Sequence, residues 1–219
     1  VTRAVLVHCH PRPESFTAAV RDAVTERLEA AGAEIRTIDL YARGFDPCLS
    51  AEEHERYLDG VSEGSDVAAD CADLQWCDTL LFTYPTWWYG TPAALKGWLD
   101  RTLAPGVAFH MPTEHARDIR PGLTNIRRLG CFTTCGASRW LTAWVGHPGR
   151  RTILRGVRLC CHPRTRTAFA AHYLIDSSTP ESRAAHLGLV ARRMDRLIGA
   201  PGDGTRVGRM GAEARRPAG

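Results

Sequence analysis

The 219-residue sequence predicts an α/β fold: a three-layer sandwich on a five-stranded parallel sheet in the order 2-1-3-4-5. Three observations predict it. Short apolar runs alternate with stretches of helical period along the chain. The runs are continuous, as expected of strands covered on both faces. No internal repeat interrupts the alternation.

Ala4–Val7 is the first strand, closed by His8 and the His-Pro-Arg-Pro break. Ser15–Ala31 follows as a helix with apolar positions at Val20, Val24 and Leu28, ending at Gly32. Glu34–Ile38 is the second strand. The polar segment Tyr41–Gly64 holds a short helical piece over Ala51–Tyr57, and Val67–Trp76 is helical. Thr79–Thr83 is the third strand, and Pro92–Leu103 the next helix, with Pro92 in its first turn. Leu129–Thr133 is the fourth strand. A broken helical region spans Arg139–Val157, Thr165–Tyr173 is the fifth strand, and Pro180–Ile198 the last helix. Residues 1–199 are thus expected to form one domain. Residues 200–219, rich in Gly, Arg, Pro and Ala, are expected to be a mobile tail.

Composition narrows the function classes. The apolar share of 44% is ordinary for a globular chain, and no apolar run approaches the ~18 residues that cross a bilayer. The opening VTRAVLVHCHPRPESF has no signal-peptide pattern, so a cytoplasmic protein is expected. Without an export signal, the eight cysteines read as reduced thiols, with Cys9, Cys71 and Cys131 in apolar surroundings. Cys131-x-x-x-Cys135 and Cys160-Cys161-His162 lack a second pair at zinc-finger spacing, so no metal is expected. The net charge of +4 is nearly all arginine, Lys96 being the only lysine. No nucleic-acid motif accompanies it, and a basic balance favours a phosphate-bearing ligand.

Ligands of open parallel sheets bind beyond the carboxyl ends of the strands, at the switch point. Three loops should therefore meet: His8–Phe16, Tyr84–Thr91 and Thr133–Ser138. The first leads into a helix whose free N–H groups favour an anion, with Ser15 and Thr17 as hydroxyl donors and His10 beside them. Glu14 should point away from such an anion. The second, YPTWWYGTP, sets Trp87, Trp88 and Tyr89 side by side, where exposed rings need a flat ligand or a partner. The third, TTCGAS, offers backbone N–H groups and, at Gly136, room for close approach.

These residues carry a resemblance. His10-Pro11 with Ser15-Phe16-Thr17, then YPTWWYGTPAALKGWLDR with GVAF after it, then Thr133-Thr134, resemble the flavodoxin-fold NAD(P)H:quinone oxidoreductases of the DT-diaphorase and modulator-of-drug-activity-B type, from residue 3 to about 198. The resemblance implies a flavin, FAD before FMN, with NAD(P)H as donor and a quinone-like acceptor. It implies that His10, Ser15, Phe16 and Thr17 hold the flavin phosphates and ribityl chain. Pro85, Thr86, Trp87, Trp88 and Tyr89 would line the ring, and Thr133, Thr134, Cys135 and Gly136 its polar edge. Trp88, Tyr89, Phe109, Met111 and His147 would meet the substrate, with His147 as the candidate proton donor. The cleft would lie at a homodimer interface. The chain departs from the family pattern at Thr17, often Asn, and at Cys135, often Gly. Leu141 stands where the animal enzymes have a tyrosine.

The implied chemistry is two-electron, ping-pong reduction of a quinone. The rivals are a flavodoxin-type single-electron carrier, a flavin-free interaction module and a dedicated biosynthetic quinone reductase. Flavodoxins are usually strongly acidic, which counts against the first.

Overall fold

The structure is a computed structural model, and it describes residues 1–114 and 117–199. The tail expected at 200–219 lies outside the described residues. Five parallel strands form the main sheet: β1 (Arg3–His8), β2 (Glu34–Asp39), β3 (Thr79–Thr86), β6 (Arg128–Cys135) and β7 (Arg166–His172). The order is β2-β1-β3-β6-β7. This corrects the expected numbering 2-1-3-4-5. Two short strands, β4 (Phe109–His110) and β5 (Arg120–Pro121), pair antiparallel outside the sheet and take the intervening numbers. Sequence periodicity cannot register strands of two residues.

The sheet is buried on both faces. One core, built around Leu80, Phe82, Trp98, Leu129 and Cys131, lies under α3 (Ala68–Trp76) and α4 (Ala93–Thr102). The other, with Leu6, Leu81 and Phe132, lies under α1 (Phe16–Ala30) and α7 (Pro180–Ile198). Both cores draw on every central strand, which is why the apolar runs are continuous. Cys9, Cys71 and Cys131 are buried, and burial pushes each thiol up to about 12. No helix among the described residues is long and apolar enough to cross a membrane.

β3 runs three residues past the expected end at Thr83, pairing Tyr84, Pro85 and Thr86 with Thr133, Thr134 and Cys135 of β6. Pro85 sits in it without losing a ladder bond. The Thr83 carbonyl accepts from the Cys9 N–H on the β1 side. Pro85, two residues on, faces the same side, where β1 has ended.

The broken region resolves into α5 (Arg139–Val145), α6 (Pro148–Arg151) and a π-helical turn over Thr152–Val157. Ser138 caps α5 by accepting from the Leu141 N–H, and Gly146, left-handed, ends it. The segment before α3 contains α2 (Ala51–Glu55). Buried Arg101 ties it down, donating to Glu53 (3.1 Å), Asp66 and the Asp46 carbonyl (2.7 Å). Asp70, also buried, accepts from Trp98 Nε1 (2.6 Å) and from Arg43.

Two histidines are buried without partners on the α1–α7 side. His172 Nδ1 and His186 Nε2 make no hydrogen bond, and both rings pack edge-on or tilted against Phe16. Burial, and after it the charge of His172, lowers His186 to about 4; burial lowers His8 to about 4 as well. The unfolded chain takes these protons near 6.5, the folded one only near 4. The stability from keeping both rings neutral is therefore complete above pH 6.5 and drains away as pH falls toward 4. Thermal melts should show the transition temperature falling across that window. His186→Phe should flatten the fall without abolishing it, because His8 remains; an unchanged slope in the variant would remove His186 from the account.

Candidate functional site

The three expected loops do meet at the carboxyl edge of the sheet. The β1 and β3 loops approach through His10 and Trp87, whose ring centres are 6.4 Å apart. The start of α1 reaches the end of β6 through Thr17 Oγ1 and Thr134 Oγ1, 3.1 Å apart and buried. The ends of β3 and β6 are joined by Thr86 Oγ1 and Thr133 Oγ1 at 2.8 Å. Thr17 thus serves as a strut between two loops.

At the α1 end, the Ser15 hydroxyl accepts from the Ala18 N–H as the helix cap. The amides of Phe16 and Thr17 belong to the turn whose N–H groups have no intrahelical acceptor. No acidic residue occupies this first turn. Glu14 is drawn aside by Arg12 (3.0 Å) and stands in solvent, as the loop requires. His10 Nδ1 is tied to the Arg12 backbone, standing 3.0 Å from its N–H and 3.1 Å from its carbonyl oxygen, which leaves Nε2 free of that contact. Desolvation lowers the His10 pKa, so the ring is neutral at pH 7 and offers an N–H.

The opposite wall is the turn Trp87–Gly90. The Gly90 N–H donates to the Trp87 carbonyl (3.0 Å), and both central residues have positive φ: Trp88 at 50° and Tyr89 at 64°. This is a type I′ geometry, normally given to Asn and Gly. Here it carries an indole that is 95% exposed. Aromatic residues in a left-handed backbone cost on the order of 1–2 kcal/mol each, and such strain gathers at functional sites. The turn is braced by α6, because the Tyr89 carbonyl accepts from the Gly149 N–H. A Cβ at Gly149 would stand 3.2 Å from the Gly90 carbonyl carbon and from the Tyr84 hydroxyl, so any larger residue would press the turn and Tyr84 apart by a few tenths of an ångström.

The third wall is the end of β6. Cys135 does not adopt a positive φ, and its buried Sγ turns to Thr142 Oγ1 (3.6 Å). Its substitution for glycine is therefore accommodated inward, leaving the backbone of Thr133–Gly136 along the edge. Asp176 stands against Gly136: its Oδ2 would be 2.9 Å from a Cβ there.

His147 lies beside this wall, itself left-handed at φ 50°, with Tyr89, Thr86 and Thr133 lining the same cleft. Burial and then the charges of Arg150, Arg151 and Arg139 lower its pKa, so it too is neutral at pH 7. Phe109 and Met111 sit on the β4 arm and are not among the residues lining the cleft. Pro85 is buried within β3, while Trp87 is half-exposed. Sequence reasoning missed Arg150, Phe169 and Tyr173, which line the cleft from α6 and β7. The carboxyl-end rule, applied to the fifth strand as well as the others, points to Tyr173.

The donors at α1 suit an anionic group, the turn a flat ring, and the β6 amides a polar ring edge. A parallel sheet with such a site at its switch point defines the flavodoxin-like class. Residues 2–188 match the family described as having a flavodoxin-like fold, and the chain belongs to that family. It is similar to NAD(P)H dehydrogenase [quinone] 1 of Rattus norvegicus, at 32% identity over 170 residues, 70% of this chain and 61% of that protein. It is also similar to the ribosyldihydronicotinamide dehydrogenase [quinone] of Pongo abelii, at 32% over 127 residues, 50% of this chain and 54% of that protein. The chain spans between about half and two thirds of the length of the curated relatives it matches. Among solved structures, the NAD(P)H:quinone oxidoreductase of Methanothermobacter marburgensis superposes with a TM-score of 0.75, at 25% identity, over 90% of this chain and 96% of that one.

Strain in the turn can be measured directly. Replacing Trp88→Asn together with Tyr89→Gly supplies the residues a type I′ turn prefers and should raise the unfolding free energy by about 1 kcal/mol. Chemical denaturation reads this, and a lower value would mean that the rings stabilise the fold.

Proposed function

We propose that the chain is a flavin-dependent NAD(P)H oxidoreductase that reduces a quinone or similar acceptor by two electrons. One observation carries the proposal: an acid-free helix start, a strained aromatic turn and the end of β6 meet at the carboxyl edge of the sheet. The similarity to NAD(P)H dehydrogenases [quinone] supports it. A flavin bound here would supply two-electron redox chemistry between the nicotinamide donor and the acceptor.

The chain's own residues position and neutralise. The Phe16 and Thr17 amides, with His10 beside them, would hold the phosphate end. These donors serve the first phosphate of FAD or FMN alike, so the site supports a flavin without choosing between them. Pro85–Tyr89 wall the ring and keep water from its face. Backbone N–H groups where β6 ends, at Gly136, would stabilise negative charge at its polar edge, being fixed before any charge develops. Neutral His147 offers a hydrogen bond to the acceptor oxygen rather than a charged acid. Phe109 and the exposed Met111 are read as contributions to a second subunit's cleft in a homodimer.

The flavin released by heat identifies the cofactor, and anaerobic NADH or NADPH should bleach its spectrum. If neither nucleotide does so, the oxidoreductase reading falls. Trp88→Ala should weaken flavin retention at least several-fold in fluorescence titration while the far-UV spectrum stays unchanged. His147→Ala should lower kcat five- to tenfold, the worth of one hydrogen bond of about 1 kcal/mol, with flavin content intact. An unaltered kcat would remove His147 from the mechanism.

A further inference from the structure

β7 is the outer strand of the sheet and pairs only with β6. Its free edge opens into a groove of about 650 Å³, between α7 on one face and the π-helical turn on the other. That volume falls in the range of small-molecule sites. Arg139, Arg150, Arg166, Arg193 and Arg196 line the groove, and among the described residues no carboxylate does. Among the described residues none of the five forms an ion pair, although arginines elsewhere on the chain find acidic partners in number. Two of the five are held in place. The Arg150 guanidinium lies 4.7 Å from the centre of the Phe169 ring, and Arg166 donates to the Arg196 carbonyl at the end of α7.

The groove is continuous with the candidate active site. His147, Arg150, Phe169, Ala171 and Tyr173 line both the groove and the cleft that contains Thr86, Tyr89 and Thr133. From Tyr173 back to Arg166 the edge runs about 23 Å, at ~3.3 Å per residue. A ligand whose reacting end lies at the carboxyl edge beside Tyr173 and whose remainder extends along β7 passes Arg150, over Phe169, and reaches Arg196, beside Arg166, at its far end. Guanidinium groups match phosphate oxygens two at a time, and Phe169 beneath Arg150 adds a flat apolar surface.

We propose that this groove binds the phosphate-bearing half of the nicotinamide donor, with Arg139 and Arg150 on the bridging phosphates and Arg193 and Arg196 on a ribose 2′-phosphate, so that the protein prefers NADPH to NADH. The inference rests on the oxidoreductase reading above and adds the identity of the donor. The same positive charge would also suit an acceptor carrying an anionic group, and the two sources separate by experiment.

Binding is read first without turnover. Calorimetric titration of the flavin-loaded protein with adenosine 2′,5′-bisphosphate and with 5′-AMP should give at least tenfold tighter binding of the bisphosphate. The R193S/R196S double variant should bring the two nearly level, and R150S should weaken both. Equal affinities in the unaltered protein, or a preference untouched by R193S/R196S, overturns the proposal. Turnover then assigns the source: kcat/KM for NADPH over NADH should fall at least tenfold in R193S/R196S with a neutral quinone. If the loss instead follows a sulfonated quinone and spares NADPH, the anion belongs to the acceptor and the proposal is wrong. Failure of both nucleotides to reduce the flavin would overturn the oxidoreductase reading separately, since the titration reads the groove with no reaction.

Discussion

Parallel pairing of β3 between β1 and β6 is the constraint on which the rest of the site depends. Because every main strand runs the same way, each strand-to-helix connection leaves from one edge. Because β1 stops at His8 while β3 and β6 continue, that edge is stepped. The step makes room for Pro85 in a strand and leaves a recess over the end of β1. Two threonine pairs, on opposite faces of the sheet, fix the end of β6: Thr134 to Thr17 of α1 and Thr133 to Thr86 of β3, both at hydrogen-bond distance. A one-residue slip of β3 would turn Thr86 to the other face and break the second pair.

Stability and function pull against each other at one place in particular. The turn at Trp88 and Tyr89 would be easier to form with Asn and Gly, and a 95% exposed indole gains nothing from burial in the described fold. The strain persists because the turn is over-determined: β3 ends in it, the Tyr89 carbonyl is bonded to Gly149, and Gly149 itself packs on Gly90.

Much of this was legible in the sequence because the relevant signals are local. Continuous apolar runs located all five main strands, and Ser15, Gly32 and Pro92 marked helix ends. The meeting of the three loops followed from topology alone. The motif YPTWWYGTPAALKGWLDR mixes two jobs that sequence cannot separate. Its first half builds the aromatic wall, while Trp98 and Arg101 in its second half bind Asp70, Glu53 and Asp66 and fasten the segment before α3. What stayed hidden depends on distant residues meeting. The fate of Cys135 was set by Thr142, and the role of Thr17 by Thr134. The buried histidines His172 and His186 come from different elements and meet each other and Phe16, each leaving one ring nitrogen unbonded. Phe109 and Met111 stand outside the cleft of a single chain, so their reading waits on a second subunit.

Charge completes the picture, and it binds the two ends of the site together. Arg139, Arg150 and Arg151 lower the pKa of His147, adding to the effect of burial. An imidazolium beside them would be repelled by the same field that draws in an anion. On the proposed reading, arrival of a phosphate-bearing donor partly cancels that field and so raises the proton affinity of His147 while the donor is bound; its departure lowers it again. The acceptor that follows the donor therefore meets a neutral ring, whose N–H is offered as a hydrogen bond and not as an acidic proton. The arginines that recruit the donor would thereby also keep His147 in the form that meets the acceptor, with no acidic partner needed beside the histidine.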